Sequence, residues 1–441
     1  MTETRATSAI THRRVIRMAI PVLLANATVP ILGAVDTGVI GQLGEAAPIA
    51  GVGLGSVILA SIFWMFGFLR MGTTGLAAQA KGAGDHGELA ALLTRVLLFG
   101  LGIGAVFILI QPILYWAGLG LSPATPEVEE MARRYMAVRI WSAPAAIALF
   151  GITGWLLAQE RARAHMAILS LMNGANILLD LWFVLGLGWG IEGVALATAI
   201  SEWAGFALGI WFCRAAFRDP AWRAWGQVFH IERLVHMARV NRDIMIRTGT
   251  LLAIMVSFTF VAGSFGALAQ ASNQVLLQFV YITGFALDGF AFGAESLVGQ
   301  AMGARQRAEL RRAVRLTSFW GMITVAVLSL GFAVFGGWII DVMTTAPDVR
   351  EEARRFLPWM VAAPLIGGPA WMLDGVFIGA TRSADMRNMM LVSGVIYAVA
   401  LVALVPLLGN HGLWAALLIS YVARGLSLWL RYPALEATVG A

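Results

Sequence analysis

Polar residues are sparse along this chain, and they come in clusters at near-regular intervals. Between the clusters lie long apolar runs, at roughly 18–41, 49–79, 90–117, 131–159, 164–187, 191–213, 244–265, 270–302, 313–341, 355–380, 388–408 and 412–431. Each run reaches the ~20 residues that an α-helix needs to cross ~30 Å of hydrocarbon. Only helices and closed barrels satisfy their backbone groups in lipid, and the runs are continuous rather than alternating, so helices are predicted. The pattern therefore predicts an all-α polytopic membrane protein with twelve transmembrane helices. The longest polar connection, 214–243, is amphipathic and arginine-rich. It divides the chain into an N-lobe (1–213) and a C-lobe (244–441) of six helices each.

The chain also repeats itself. Gly75-Leu76-Ala77-Ala78-Gln79-Ala80-Lys81-Gly82-Ala83 returns as Ser296-Leu297-Val298-Gly299-Gln300-Ala301-Met302-Gly303-Ala304, at an offset of 300 − 79 = 221. In the same register Glu88-Leu89 returns as Glu309-Leu310, and Pro126-Glu127-Val128 as Pro347-Asp348-Val349. Ala132-Arg133-Arg134-Tyr135 returns as Ala353-Arg354-Arg355-Phe356, and Gly154 and Arg161 as Gly375 and Arg382. Two related halves in a polytopic chain are the usual build of a secondary transporter, with the substrate path between them.

Composition sharpens this picture. Hydrophobic residues make up 59% and charged residues 13%, about half the ~25% charged of a soluble domain. The net charge of +6 does not point to nucleic acid, because the arginines cluster in loops that abut the apolar runs. The N-terminus, 80–89, 160–165, 214–243, 303–312 and 381–387 hold most of them, including Arg13, Arg14, Arg161, Arg163, Arg233, Arg311 and Arg382. The alternate loops hold Glu45, Glu127, Glu129, Glu192, Asp348 and Glu351. That bias places both termini in the cytoplasm. An even number of spans requires both termini on one side, so the two lines agree. Six is also even, so the halves are parallel repeats. The single Cys213 rules out an internal disulfide framework. The first apolar run is too long for a signal peptide, and none is predicted.

Ionisable groups inside the spans need an explanation, since each costs roughly 2.5–3.5 kcal/mol on insertion scales. Asp36, Asp180 and Thr198 all fall about 8–11 Å inside the external boundary at ~1.5 Å per residue. Asn176 lies four residues before Asp180 and shares its helix face. Three helices of one lobe thus present two carboxylates, an amide and a hydroxyl at one level. Such a group suits a proton carrier or a site for a hard cation such as Na+. Position 36 + 221 is Ser257, so coupling is expected to be asymmetric and to sit in the N-lobe. Arg70, Glu202, Gln278, Tyr281, Asp288, Glu295 and Asp374 are candidates for a cavity lining or charge network. For the acids among them, pairing with Arg70 or Arg247 as helix locks is the open alternative. Pro21 and Pro30 are hinge candidates, because proline removes a helix hydrogen bond.

Gly82-Ala83-Gly84-Asp85 matches the Gly-x-Gly-Asp of intramembrane aspartyl proteases. Its polar-loop setting and the absence of a Tyr-Asp partner dipeptide make it a glycine turn instead. No P-loop, His/Cys cluster or Gly-x-Ser-x-Gly elbow occurs, so neither enzyme chemistry nor ATP-driven transport is expected, and no cofactor is implied.

Val35-Asp36-Thr37-Gly38-Val39-Ile40-Gly41, Phe68-Leu69-Arg70-Met71-Gly72-Thr73-Thr74-Gly75-Leu76, Asn241-Arg242-Asp243-Ile244-Met245, Leu287-Asp288-Gly289-Phe290 and Phe377-Ile378-Gly379-Ala380-Thr381-Arg382 occur in order. They resemble the multidrug and toxic compound extrusion (MATE) transporters, in particular the DinF-like branch. The resemblance implies two six-helix lobes in a V around a central cavity. It implies export of organic cations or amphipathic drugs against inward H+ or Na+, from a bacterial inner membrane. It assigns the cation or proton site to Asp36, Asn176, Asp180 and Thr198, and the bending first-helix proline to Pro21. Asp374 stands out of register with the C-lobe carboxylates of Na+-coupled relatives. A proton-coupled antiporter is the expected function, a Na+-coupled one the first alternative and a lipid-linked substrate flippase the second. The expected partners are drug substrates and membrane lipids, and the expected state is a monomer.

Overall fold

The computed structural model describes residues 9–41, 46–120 and 124–439, and the backbone alone at 29–34, 36, 37, 40 and 46. Every regular element among them is helical. In chain order they are α1 (His12–Gly41), α2 (Ala46–Trp64), α3 (Gly67–Gly82), α4 (His86–Leu109), α5 (Gln111–Leu119), α6 (Pro126–Arg139), α7 (Ala143–Ala158), α8 (Ala162–Asp180), α9 (Gly190–Cys213), α10 (Trp225–Val228), α11 (Ile231–Ser264), α12 (Ala267–Gly303), α13 (Arg307–Met343), α14 (Pro347–Gly379), α15 (Ser383–Leu408) and α16 (Asn410–Ala437). Eleven segments among the described residues are long and apolar enough to cross a bilayer. With the 30-residue α1 they make twelve long spans (11 + 1 = 12).

The helices outrun the apolar runs that predict them. The run 313–341 becomes Arg307–Met343, and 355–380 becomes Pro347–Gly379. Hydropathy ends where lipid ends, but helical hydrogen bonding continues into the interface. Pro126 and Pro347 start their helices where proline is preorganised, and Glu127, Glu129 and Asp348 in those first turns favour the positive helix end. The same effect corrects the inter-lobe connection. Its last thirteen residues, 231–243, are the opening turns of α11.

The rest of the connection is pinned down rather than loose. Arg95 of α4 donates to the carbonyls of Val228 at 2.7 Å and Gln227 at 2.8 Å, and grips Glu88. Arg233 reaches back to Glu88 and Asp85. Gly84 adopts a positive φ of 72°, and the Asp85 carboxylate then caps α4 by accepting from Glu88 N at 2.8 Å. The Gly-x-Gly-Asp stretch is thus a turn and a cap.

By contact density the chain forms two compact units. One, here the C-unit, comprises 1–23, 78–84 and 235–441; the other, the N-unit, comprises 24–77 and 85–234. Phe258, Phe279, Phe332, Tyr397 and Trp414 lie at the centre of the C-unit core. Leu59, Tyr135, Met136, Ile140 and Val194 do so in the N-unit. Val395, Val399 and Val402 form an exposed stripe along α15, the spacing of one helix face.

The repeated motif has a shared structural role inside the C-unit. A Cβ on Gly82 would lie 2.0 Å from the carbonyl oxygen of Gln300, and a Cβ on Gly303 would lie 2.0 Å from that of Gln79. The positions are repeat mates (82 + 221 = 303, 79 + 221 = 300), so two backbones cross reciprocally at a distance only glycine permits. Gln79 Nε2 donates onward to Gly379 O at 3.1 Å and Thr381 Oγ1 at 2.9 Å. Turn geometry repeats as well: Gly84 and Arg305 have φ of 72° and 53°, and Glu160 and Thr381 have φ of 63° and 50°. Each pair is 221 residues apart.

Gly303→Val is expected to abolish a monodisperse peak in fluorescence-detected size-exclusion chromatography, since overpacking costs at least ~1–3 kcal/mol even where side chains can yield. Gly102→Val, where a Cβ meets nothing within 4 Å, is expected to leave the peak intact.

Candidate functional site

In the N-unit, α8 presents Asn173, Asn176 and Asp180 at spacings of three and four, which is one helix face. All three are buried, Asn176 to 2% exposure and Asp180 to 0%. Asn176 Nδ2 donates to Thr198 Oγ1 on α9 at 3.2 Å, and that hydroxyl donates to Val194 O at 3.0 Å. Asn173 Nδ2 donates to Thr28 Oγ1 on α1 at 2.6 Å. One helix face therefore binds both neighbours through neutral hydrogen bonds and ends in a carboxylate. Immediately after Asp180 the helix widens into a π-helical turn, Leu181–Gly186, a departure that recurs at functional sites.

The side chain of Asp36 lies outside the described residues. Its backbone sits in α1 between Val35 and Val39, which join the apolar cluster that also holds Val184 and Val194. Pro21 and Pro30 both lie within α1, which runs through them as one helix. The side chain of Pro30 also lies outside the described residues.

Most other candidates fall into helix-to-helix contacts. Glu202 of α9 accepts a two-pronged grip from Arg139 of α6, at 2.7 and 2.5 Å. The Arg70 carbonyl accepts from Thr74 Oγ1 at 2.8 Å and lies against Gly154, and its guanidinium is within electrostatic reach of buried His165. In the C-unit, Gly289 brings α12 against the Ala19 carbonyl of α1, beside Asp288. Glu295, two turns on, is buried. Gln278 is exposed, and Tyr281 lines a groove of about 350 Å3 with Leu252, Met255, Val256 and Thr259 of α11.

Asp374 is the charged centre of the C-unit. Its Oδ2 accepts from Arg247 of α11 and faces Arg424 of α16 at 3.3 Å. The pairing with Arg247 is the helix-lock alternative drawn from the sequence. Arg424 is not among the residues that the sequence singles out. It stands inside the apolar run 412–431, so the rule that singles out intramembrane acids finds it equally well.

Removing the lone carboxylate leaves two buried cations unpaired, whereas removing Arg424 leaves a balanced pair. Breaking a buried pair costs about 3–5 kcal/mol. Asp374→Asn is therefore expected to lower the unfolding temperature in detergent strongly and Arg424→Gln only slightly, as followed by intrinsic tryptophan fluorescence.

The chain matches the MatE family model twice, over residues 21–182 and 245–404, in step with the internal repeat. It is 38% identical over 427 residues to DNA damage-inducible protein F of Escherichia coli, covering 94% of this chain and 91% of that protein. It is 25% identical to a probable multidrug resistance protein NorM of Rhizobium meliloti, over 83% of this chain and 79% of that one. In fold it is similar to a MOP superfamily transporter from Pyrococcus furiosus, with a TM-score of 0.88 at 18% identity, covering 98% and 97% of the two chains. With twelve long apolar helices, a duplicated core and these relatives, the chain is a multi-pass membrane transporter, not an enzyme, and belongs to the MatE family of multidrug and toxic compound extrusion proteins, in its DinF-like branch.

Proposed function

We propose that this protein is a secondary antiporter that exports organic cations or amphipathic toxic compounds in exchange for inward protons, by alternating access. The observation that carries the reading is the fully buried Asp180 at the end of the Asn173–Asn176 face, one helical turn beyond the Asn176 amide that donates to the α9 hydroxyl of Thr198. Burial disfavours the charged form of a carboxylate and so makes it a proton acceptor tuned by its surroundings. Kinship with proteins named for multidrug resistance supports a drug-like substrate.

In this mechanism Asp36 and Asp180 form the coupling pair, with Asn176 and Thr198 holding the helices that carry them. Protonation from the outside removes negative charge and weakens the hold on a cationic drug. Binding of the next drug inside favours proton release there. Each ligand acts only through its different affinity for the two states. Pro21, which leaves a carbonyl of α1 without its helical donor, is the pivot. The protein works in the bacterial inner membrane as a monomer with both termini in the cytoplasm.

The same oxygens suit Na+, so the test swaps gradients. Vesicles containing the wild-type protein are expected to export ethidium when an inward H+ gradient is imposed and not when an inward Na+ gradient replaces it. Asp36→Asn and Asp180→Asn are each expected to reduce the rate by about tenfold or more, as loss of a group that drives the cycle. Wild-type export by the Asp36→Asn protein overturns the coupling assignment. Export driven by Na+ alone replaces the coupling ion and keeps the site.

A further inference from the structure

Two guanidiniums share one carboxylate in the core of the C-unit. Arg247, Arg424 and Asp374 have side chains only 7%, 4% and 6% exposed. Both arginines approach the same oxygen, Oδ2. The other oxygen, Oδ1, and the Nε of each arginine are buried without a hydrogen-bond partner. Arg424 Nη1 donates to Met390 Sδ at 4.0 Å, a weak acceptor. The groups acting electrostatically on Arg424 are Asp374, Arg247 and Tyr421. These three ionised groups sum to 1 + 1 − 1 = +1.

A helix clamp needs one cation per anion, and a second buried guanidinium costs several kcal/mol unless something compensates it. A second anion does so, and the planar fork of arginine is built to grip a carboxylate or phosphate.

A run of aromatic contacts links the pair to a neighbouring groove. Trp371 carries Arg424 over its ring at 6.0 Å and packs on Tyr421 with centroids 5.3 Å apart. Tyr421 lies within electrostatic reach of Tyr281, which opens onto the apolar groove beside α11. Met255 in that groove stands two turns from Arg247 on the same helix, about 12 Å along its axis.

We infer that Arg247 and Arg424 form a subsite for an anionic oxygen group, a carboxylate or phosphate, of an amphipathic molecule whose apolar part occupies the groove lined by Met255 and Tyr281. The inference rests on the efflux reading and narrows its substrate class: the C-unit accepts zwitterionic or anionic amphipaths, not organic cations alone. Asp374 holds the two arginines in place, and the arriving anion completes their charge.

The test compares two ligands that differ in one carboxylate, rhodamine B and its ethyl ester. Full-length wild-type, Arg424→Gln and Arg424→Lys proteins in phosphatidylcholine nanodiscs are titrated with each, after their unfolding temperatures are measured. The wild type is expected to bind the acid more tightly than the ester. Arg424→Gln is expected to reduce that preference by roughly tenfold or more, the worth of a charged hydrogen bond, and Arg424→Lys to fall between. A wild type without preference for the acid overturns the inference whether or not any variant folds, as does a preference that survives in Arg424→Gln. Where the wild type exports the ester yet shows no preference, the efflux reading stands and only the subsite falls. Binding of neither dye removes both. Added phosphatidylglycerol distinguishes the source of the anion. If it displaces rhodamine B from the wild type but not from Arg424→Gln, the occupant is a lipid headgroup; if it has no effect, the occupant is the transported molecule.

Discussion

A charge inside hydrocarbon must bring its counter-charge or its hydrogen bonds along. That constraint organises this protein more than any packing preference. Apolar side chains stand exposed as well as buried, as the valine stripe of α15 shows, and in hydrocarbon their burial does not distinguish one helix arrangement from another. Polar contacts do. Arg139 with Glu202, Arg95 with Glu88, and Arg247 and Arg424 with Asp374 each tie separate segments together. The neutral ladder of Asn173 and Asn176 does the same for α1, α8 and α9 without net charge.

The two units use this constraint differently. The N-unit face is neutral until Asp180, so a single titratable group stands out against a background of fixed hydrogen bonds. The C-unit gathers three ionised groups whose charges do not cancel.

Twelve spans and a duplicated plan were legible in the sequence. Each rests on periodicity or hydropathy over tens of residues, and local context cannot override signals of that length. Helix ends were less legible, because hydropathy reports lipid contact and the helices of 347–379 and 231–264 continue well past it. Depth puts Asn176 and Thr198 at one level, and the bond between them shows which of the four groups at that level meet. Arg424 was missed although it lies in plain view, because acids were weighed as functional and arginines as topology signals. The Gln79–Thr381 bond was out of reach of any local rule, as 302 residues separate its ends.

The reciprocal crossing at Gly82 and Gly303 has an evolutionary reading. Each copy of the motif is the surface against which the other fits, so neither glycine is replaceable while its mate's helix stays where it is. The contact is reciprocal, so a half-length ancestor bearing one copy holds both of its surfaces. Fusion then turns that self-recognition into an internal seam. The seam holds its sequence in both halves, while the repeat mates Asp36 and Ser257 differ.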